Sequence, residues 1–487
     1  KTGAGARAGA GGAAGGGGGG SSDNQPAGGG GPGGETASTT GGSGGVGFGG
    51  DGSFGGGGGA GGGNNTQPGG DGGYGGGGGG GPTGAGGAGG FGGGGGGGSG
   101  SGGAAGFLAG AGGAGYGGGG GGAALGAAIF VRQGAALHIT GGSFTGGLVT
   151  GGAGQDGGGS GSGVGTALFL AGSTTYTVNA GETITIAGAI GGGVHPLITG
   201  GLTKAGGGAL ILTDNNNNYT GPTAVTSGTL TVNGALLGSA TVTVGSGGRL
   251  NGAGSVSGSV AVQAGGELAP GASPGILDTG SVTLSAGSTF SVEIEGATAG
   301  TGYDQLNVTG SVALGNATLN LSGAHVPSVG SSFLIINNDG ADAVTGTFNG
   351  LAEGASLAFN GNFVTISYSG GDGNDVVILG PLTESVCFSE YTGDSTTDFS
   401  SADAQAVRAA VAAASAGGTV KIAGTCAGVA VQGGVTQTVY ISKTLTLAGG
   451  YTTTNWINSY PITQPTTLDA AQGGRVIYAT AAATVWC

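Results

Sequence analysis

The clearest alternation of apolar and polar positions lies in residues 200–234, GGLTKAGGGALILTDNNNNYTGPTAVTSGTLTVNG. Leu, Ile, Val and Thr alternate in three short runs, 209–213, 223–225 and 229–232, separated by glycine and asparagine clusters suited to tight corners. Strands this short bury an apolar face only against similar neighbours. The segment therefore predicts one turn of a repetitive β-structure with further turns on both sides. Upstream, from Ala123, glycines punctuate Ile129, Val131, Leu137, Ile139, Phe144 and Leu148. A glycine-rich insert at 151–165 reads as a loop leaving the stack, after which ALFLAG, TYTVNAG and ETITIAGAI continue the pattern. Downstream, 238–296 is a run of short strands with period-two Val and Leu in units of about twenty residues. FLIINNDG, GTFNGL, ASLAFNGNFVTISYSG and DVVILG then predict hairpin strands that end the stack with antiparallel pairing and shield its edge.

A different texture begins at residue 384. The spacing predicts a helix over 400–416, with Ser400 and Asp403 as a capping pair, Val407, Ala410, Val411 and Ala414 on one face, and Gly417-Gly418 as the stop. The strands TVKIAG, TVYISKTLTLAGGY, TTLDA and RVIYA follow it.

Composition separates a third regime. Glycine accounts for 139 of 487 residues, and 71 of these fall in residues 1–130. Ordering a backbone costs about 1–2 kcal/mol per residue, and glycine offers almost no side-chain area to offset it. Residues 1–122 are thus expected to be either disordered or a polyglycine II-like bundle of mutually hydrogen-bonded backbones, with Phe48, Phe54, Tyr74, Phe91, Phe107 and Tyr116 irregularly spaced as caps or spacers. The expected organisation is 1–122 glycine-rich, 123–380 solenoid and 381–487 a helix-capped second stack. Only 7% of residues are charged, the formal net charge is −14, and Arg7 is the sole arginine of the glycine tract, which argues against nucleic acid and anionic membranes as partners. The chain has no methionine, no signal-peptide pattern and no apolar run of about 18 residues, so it reads as a fragment whose membrane attachment belongs to other parts of the parent protein.

The blocks GGLTKAGGGAL, NNNNYTG and TAVTSGTLTVNG resemble the autotransporter-associated β-strand repeat of large bacterial surface and secreted proteins. The resemblance implies a right-handed parallel β-solenoid in an exported passenger, with Lys204 and Tyr219 as corner residues. LAPGASPG and YDQLNVTGSVAL are similar to segments that commonly follow this repeat. The helix followed by strands after residue 400 resembles the first coils of pectin-lyase-like parallel β-helix domains, which include non-enzymatic surface modules.

Candidate chemistry is sparse. GGDGNDVVI at 370–378 fits a calcium-binding nonapeptide, with Asp372, Asn374 and Asp375 as oxygen donors, yet one copy supplies half a site, and a Gly-Asp hairpin turn accounts for the same residues. Glu293 and Glu295 share a strand face, with Asp304 nearby in sequence, and no third group is identifiable to orient an acid–base pair. His138, His195 and His325 lack ligand-spaced neighbours and read as surface or corner residues. Sequons at Asn64, Asn218, Asn307, Asn316 and Asn320 matter only in a eukaryotic secretory route. Asp469 and Arg475 alone do not make a lyase site, and Lys421 and Lys443 fit solvent-facing strand positions. Cys387 and Cys426 are a candidate disulfide around the helix, the alternative being free buried thiols, with Cys487 left to pair elsewhere. The expected function is a non-enzymatic stalk for adhesion or display, with carbohydrate, a host or matrix surface, or self-association as partners and no required cofactor. The alternative is the leading part of a carbohydrate-active β-helix enzyme whose catalytic coils lie beyond residue 487.

Overall fold

The computed structural model describes residues 51, 58–59, 61, 67–81, 84–115, 117–193, 195, 198, 200–238, 241–339, 342–381, 386–461 and 464–486. Arg7, Phe48, Phe54, Asn64, Tyr116 and Cys487 lie outside the described residues. The chain forms two compact units, residues 1–268 with 277–281 and residues 269–276 with 282–487. Among the described residues there are many short strands and one helix.

In the glycine tract of the first unit, the scarcity of side chains leaves backbone hydrogen bonds as nearly the whole source of order. They recur every third residue. The N–H groups of Gly69, Gly72, Gly75, Gly78 and Gly81 donate to the carbonyls of Ala85, Ala88, Phe91, Gly94 and Gly97 at 2.8–3.0 Å. Gly86, Gly89, Gly95 and Gly98 donate in the same rhythm to Ser101, Ala104, Gly110 and Gly113 at 2.9–3.1 Å. Three residues per turn is the period of the polyproline II helix. A transverse chain of bonds at 2.7–2.9 Å links Gly112 to Gly103, Gly103 to Gly96, Gly96 to Gly87, Gly87 to Gly79, Gly79 to Gly70 and Gly70 to Gly59. Of the two states that composition leaves open, the described part of the tract takes the polyglycine II-like one. At Gly87, Gly96 and Gly103 an added Cβ would fall inside contact distance of a neighbouring carbonyl.

Aromatic side chains set the bends of this array. Gly76, Gly93 and Ala109 donate to Gly73, Gly90 and Gly106 at 2.8, 2.8 and 3.1 Å, closing turns at Tyr74, Phe91 and Phe107. Tyr74 stacks on Phe91 and Phe91 on Phe107, with centroids 4.8 and 5.2 Å apart. Phe107 meets Phe169 edge-on, and Phe169 stacks on Phe130, which ties the ring column to the first solenoid coils. The aromatic spacing, irregular over the whole tract, is regular here at 17 and 16 residues, one ring per hairpin. The glycine-rich insert at 151–165 departs from expectation too. It does not leave the stack as a loop but joins the array, with Gly152 donating to Gly122, Gly161 to Gly152 and Ser162 to Leu108 at 2.7–2.9 Å.

The solenoid follows from period-two patterning. Parallel pairing stacks Tyr176, Lys204, Val225, Val244 and Val262 in one inward column. A second column carries Ile184, Leu210, Leu230 and Leu250, the last three twenty residues apart. All these apolar side chains are buried, each contributing about 1.5–3 kcal/mol of transfer free energy. Outward positions of the first sheet carry Thr175, Thr203, Ala224, Thr243 and Ala261 in register.

In the second unit, parallel pairing continues between Thr289–Glu293 and Thr318–Ser322, and between Gln305–Val308 and Ser332–Asn338. Pairing then turns antiparallel. Ser332–Asn338, Asp375–Leu379, Asn362–Gly370 and Ser356–Phe359 lie side by side in that order. Residues 386–486 form a stack in which Thr419–Ala427, Leu445–Tyr451 and Ala483–Trp486 pair in parallel beneath the helix. That helix, Gln405–Ala413, is shorter than 400–416. Ser400 is not its cap: it lies in the strand Phe399–Ser401, where its hydroxyl donates to Asn362 Oδ1 at 2.7 Å. The first-turn N–H groups find other acceptors, Gln405 on Asp403 Oδ1 and Ala406 on Ser401 Oγ. The buried face is Ala406, Val407, Ala410 and Val411.

Candidate functional site

The coil at 200–234 concentrates polar side chains on backbone groups of adjacent coils. Four strands build it: Leu202–Ala205, Ala209–Leu212, Thr223–Val225 and Gly228–Val232. Asn217 Oδ1 accepts the Ile190 N–H at 2.9 Å, while its Nδ2 donates to Asp214 and Ala235 carbonyls at 2.7 and 3.0 Å. Asn218 Oδ1 accepts from Gly192, and the Thr220 hydroxyl donates to the Gly193 carbonyl, each at 3.0 Å. The Asn cluster is therefore a set of staples reaching coils before and after it.

Lys204 and Tyr219, expected as corner residues, both turn their side chains inward. Lys204 fills a rung of the apolar column between Tyr176 and Val225 and is fully buried. Its ammonium donates to the carbonyls of Ala205, Gly206 and Ser227 at 2.9, 2.7 and 3.0 Å, which locks two coils at one bend. Tyr219 stands at a bend but points inward, fully buried, with its hydroxyl 2.6 Å from Thr223 Oγ1. Burial pushes the Tyr219 phenol up, partly offset by that bond, and holds the Lys204 ammonium below the usual lysine value. Folded protein thus binds the Lys204 proton less tightly than unfolded chain. The resulting penalty is full at neutral pH and lifts as pH rises toward the unfolded value of about 10.4. We expect Lys204→Met to lose about 2 kcal/mol in urea unfolding at pH 7, since buried carbonyls lose their donor. The gap to wild type should widen on raising the pH through the alkaline range; a gap that narrows contradicts this role.

Acidic candidates serve the backbone. Asp304 is buried and accepts the N–H groups of Gly275 and Glu293, each at 2.9 Å. Glu293 takes the Ser273 hydroxyl at 2.6 Å, and Glu295 is exposed on the same outward face. In 370–378, Asp375 begins the second strand of a hairpin and accepts the Asn338 N–H at 2.8 Å and the Asp372 N–H at 3.3 Å. Asn374 Nδ2 donates to the Asp342 carbonyl at 3.1 Å. These bonds make Asp372, Asn374 and Asp375 parts of a tight turn. No group of three or more His, Cys, Asp or Glu placed to hold a metal occurs among the described residues.

Other candidates are dispersed. His138 is exposed on a solenoid face. His195 lies against Phe91 and Phe107 at 5.2 and 5.1 Å, and His325 meets Phe333 edge-on at 5.6 Å. Of the sequon asparagines, Asn307 pairs with Asn337 and Asn320 donates to Ser291; Asn316 sits at a left-handed turn position, φ 63°. Asp469 accepts the Ala471 N–H, Arg475 lies over the Tyr478 ring, and no ion pair joins them among the described residues. Lys421 and Lys443 have defined partners rather than plain solvent. Lys421 pairs at 3.0 Å with the buried Glu390 carboxylate, and Lys443 donates to the Ala412 carbonyl in the last helical turn at 2.8 Å. Cys387 and Cys426 form a disulfide within the core under the helix.

These observations define a parallel β-solenoid whose coils are stapled from within. The passenger-associated-transport-repeat family matches residues 202–232, the coil that carries Lys204, Asn217 and Tyr219. No curated protein matches the chain. Among the described residues no helix is long and apolar enough to cross a membrane, which leaves strand-based crossing open. Sequence reasoning missed the layered repeat of the glycine array. Its signal is Asp71-Gly-Gly-Tyr74, Ala88-Gly-Gly-Phe91 and Ala104-Ala-Gly-Phe107, each followed by a glycine-rich return strand.

Proposed function

We propose that this chain is part of the passenger of an exported bacterial surface protein and acts as a non-enzymatic stalk for adhesion or display. The observation that carries the reading is the transport-repeat coil, stapled by side chains into parallel coils on both sides of it. Stacked coils advance about 4.8 Å each, so a solenoid gains reach by repetition, while its outward positions stay free to vary. The acid–base candidate Asp304 and the calcium candidate Asp375 are both engaged by backbone N–H groups. Antibodies against the chain should label intact cells of the producing organism, or detect the protein in its medium. Detection only after lysis overturns the reading.

A further inference from the structure

The second unit holds a cleft of about 320 Å³ where the antiparallel hairpins meet the helix-capped stack. Val326 and Phe388 form its apolar side, and Asn360, Thr397 and Thr453 border it. No lining side chain is charged, in a protein of net charge −14. A cation would want carboxylates here, and a phosphate or carboxylate would want arginine or lysine. The lining offers neither.

What it offers is fixed neutral hydrogen-bonding capacity. Asn360 Nδ2 donates to the carbonyls of Gly323 and His325 at 2.9 and 2.7 Å, which pins the amide and leaves Oδ1 as an acceptor. Thr397 Oγ1 accepts the Trp456 indole N–H at 3.2 Å, so its own proton can be donated elsewhere. Thr453 is exposed. The walls are braced against each other. Ser400 donates its N–H to the Gly361 carbonyl at 2.8 Å and its hydroxyl to Asn362 Oδ1 at 2.7 Å, and Phe363, Phe399 and Tyr391 stack in series behind it. A site held this way pays little ordering entropy on binding.

We propose that this cleft binds a neutral saccharide, with a sugar's C–H face against Phe388 and Val326 and its hydroxyls on Asn360, Thr397 and Thr453. A hexose unit presents that combination, an apolar face ringed by hydroxyls, and the cavity lies at the small end of the range of about 300–1,000 Å³ for ligand sites. The proposal rests on the adhesion reading and names the ligand class and the place where the stalk grips it.

Titration calorimetry of the full chain with lactose, cellobiose, maltose and chitobiose tests it, with digalacturonate as the anionic comparator. At least one neutral disaccharide should bind saturably with a Kd on the order of 1 mM. Thr453→Trp, at an exposed position, should weaken that binding at least about tenfold and leave thermal unfolding unchanged. Phe388→Ala should do the same to binding, and Thr453→Trp decides the matter if the Phe388 variant fails to fold. Absence of binding by all four neutral sugars, binding of digalacturonate alone, capture of a neutral peptide in place of sugar, or binding that Thr453→Trp leaves intact each overturns the proposal. Surface labelling of cells without sugar binding sinks this site alone; intracellular retention sinks the adhesion reading beneath it.

Discussion

Gly96→Ala should cost about 3 kcal/mol or more and melt the layers around it, whereas Gly100→Ala, four residues away, should be nearly silent. Both positions lie in the glycine array, so composition and propensity arguments treat them alike. The difference is local space. Gly96 donates to Gly87 and accepts from Gly103, and an added Cβ would press on the Gly79 carbonyl, a backbone atom with nowhere to retreat. At Gly100 the nearest atoms to an added Cβ lie 3.8 and 3.9 Å away, ordinary contact. An overpacked backbone can relieve itself only by breaking the transverse bond chain, and several neighbouring bonds would go with it. Circular dichroism melting of the two variants against wild type checks this. Equal behaviour of the two would mean that the tract tolerates side chains anywhere and is not close-packed.

The second large effect concerns the helix-capped stack. Removing the Cys387–Cys426 disulfide with paired alanines should destabilise that stack by about 4 kcal/mol, the loop-closure value for a separation of 39 residues. The cross-link joins Cys387–Glu390, the strand that pairs antiparallel with Thr419–Ala427, to that neighbour's far end. Both sulfurs sit in the core that the helix covers, beside Val407, Val420 and Val439. Loss of the tether frees the unfolded chain, and loss of two buried side chains leaves a cavity. Guanidinium unfolding of the double variant, with mass spectrometry of the wild type to establish the oxidised pair, tests this. Free thiols in protein recovered from the medium would contradict it.

Much of the fold was legible because period-two patterning has a simple physical cause. Leu210, Leu230 and Leu250 face inward at twenty-residue spacing, so their runs read as stacked strands from sequence alone. Lys204 did not read that way. A lysine at an inward position, two residues after Leu202, looks like a corner or surface residue, because burying an ammonium is costly unless acceptors wait for it. The acceptors here are carbonyls of Ala205, Gly206 and Ser227, which carry no sequence signature. Helix start failed for a similar reason: Ser400 precedes a helix-like pattern but is claimed by a strand and by Asn362. For the glycine tract, propensity was silent and only the recurring ring after Asp-Gly-Gly, Ala-Gly-Gly or Ala-Ala-Gly held information. The cleft beside Phe388 was illegible in principle, since Val326, Asn360, Thr397 and Thr453 meet only after the chain has folded back on itself.

Per-residue amide hydrogen exchange over residues 67–125 of the full chain decides whether the glycine tract is an ordered body continuous with the solenoid. Slow exchange is expected at the donors of both bond sets, Gly69, Gly72, Gly75, Gly78 and Gly81 in one and Gly79, Gly87, Gly96 and Gly103 in the other, with protection comparable to that of Leu202–Ala205. Complete exchange at these glycines at the rate of an unstructured chain, while the solenoid strands remain protected, would contradict it.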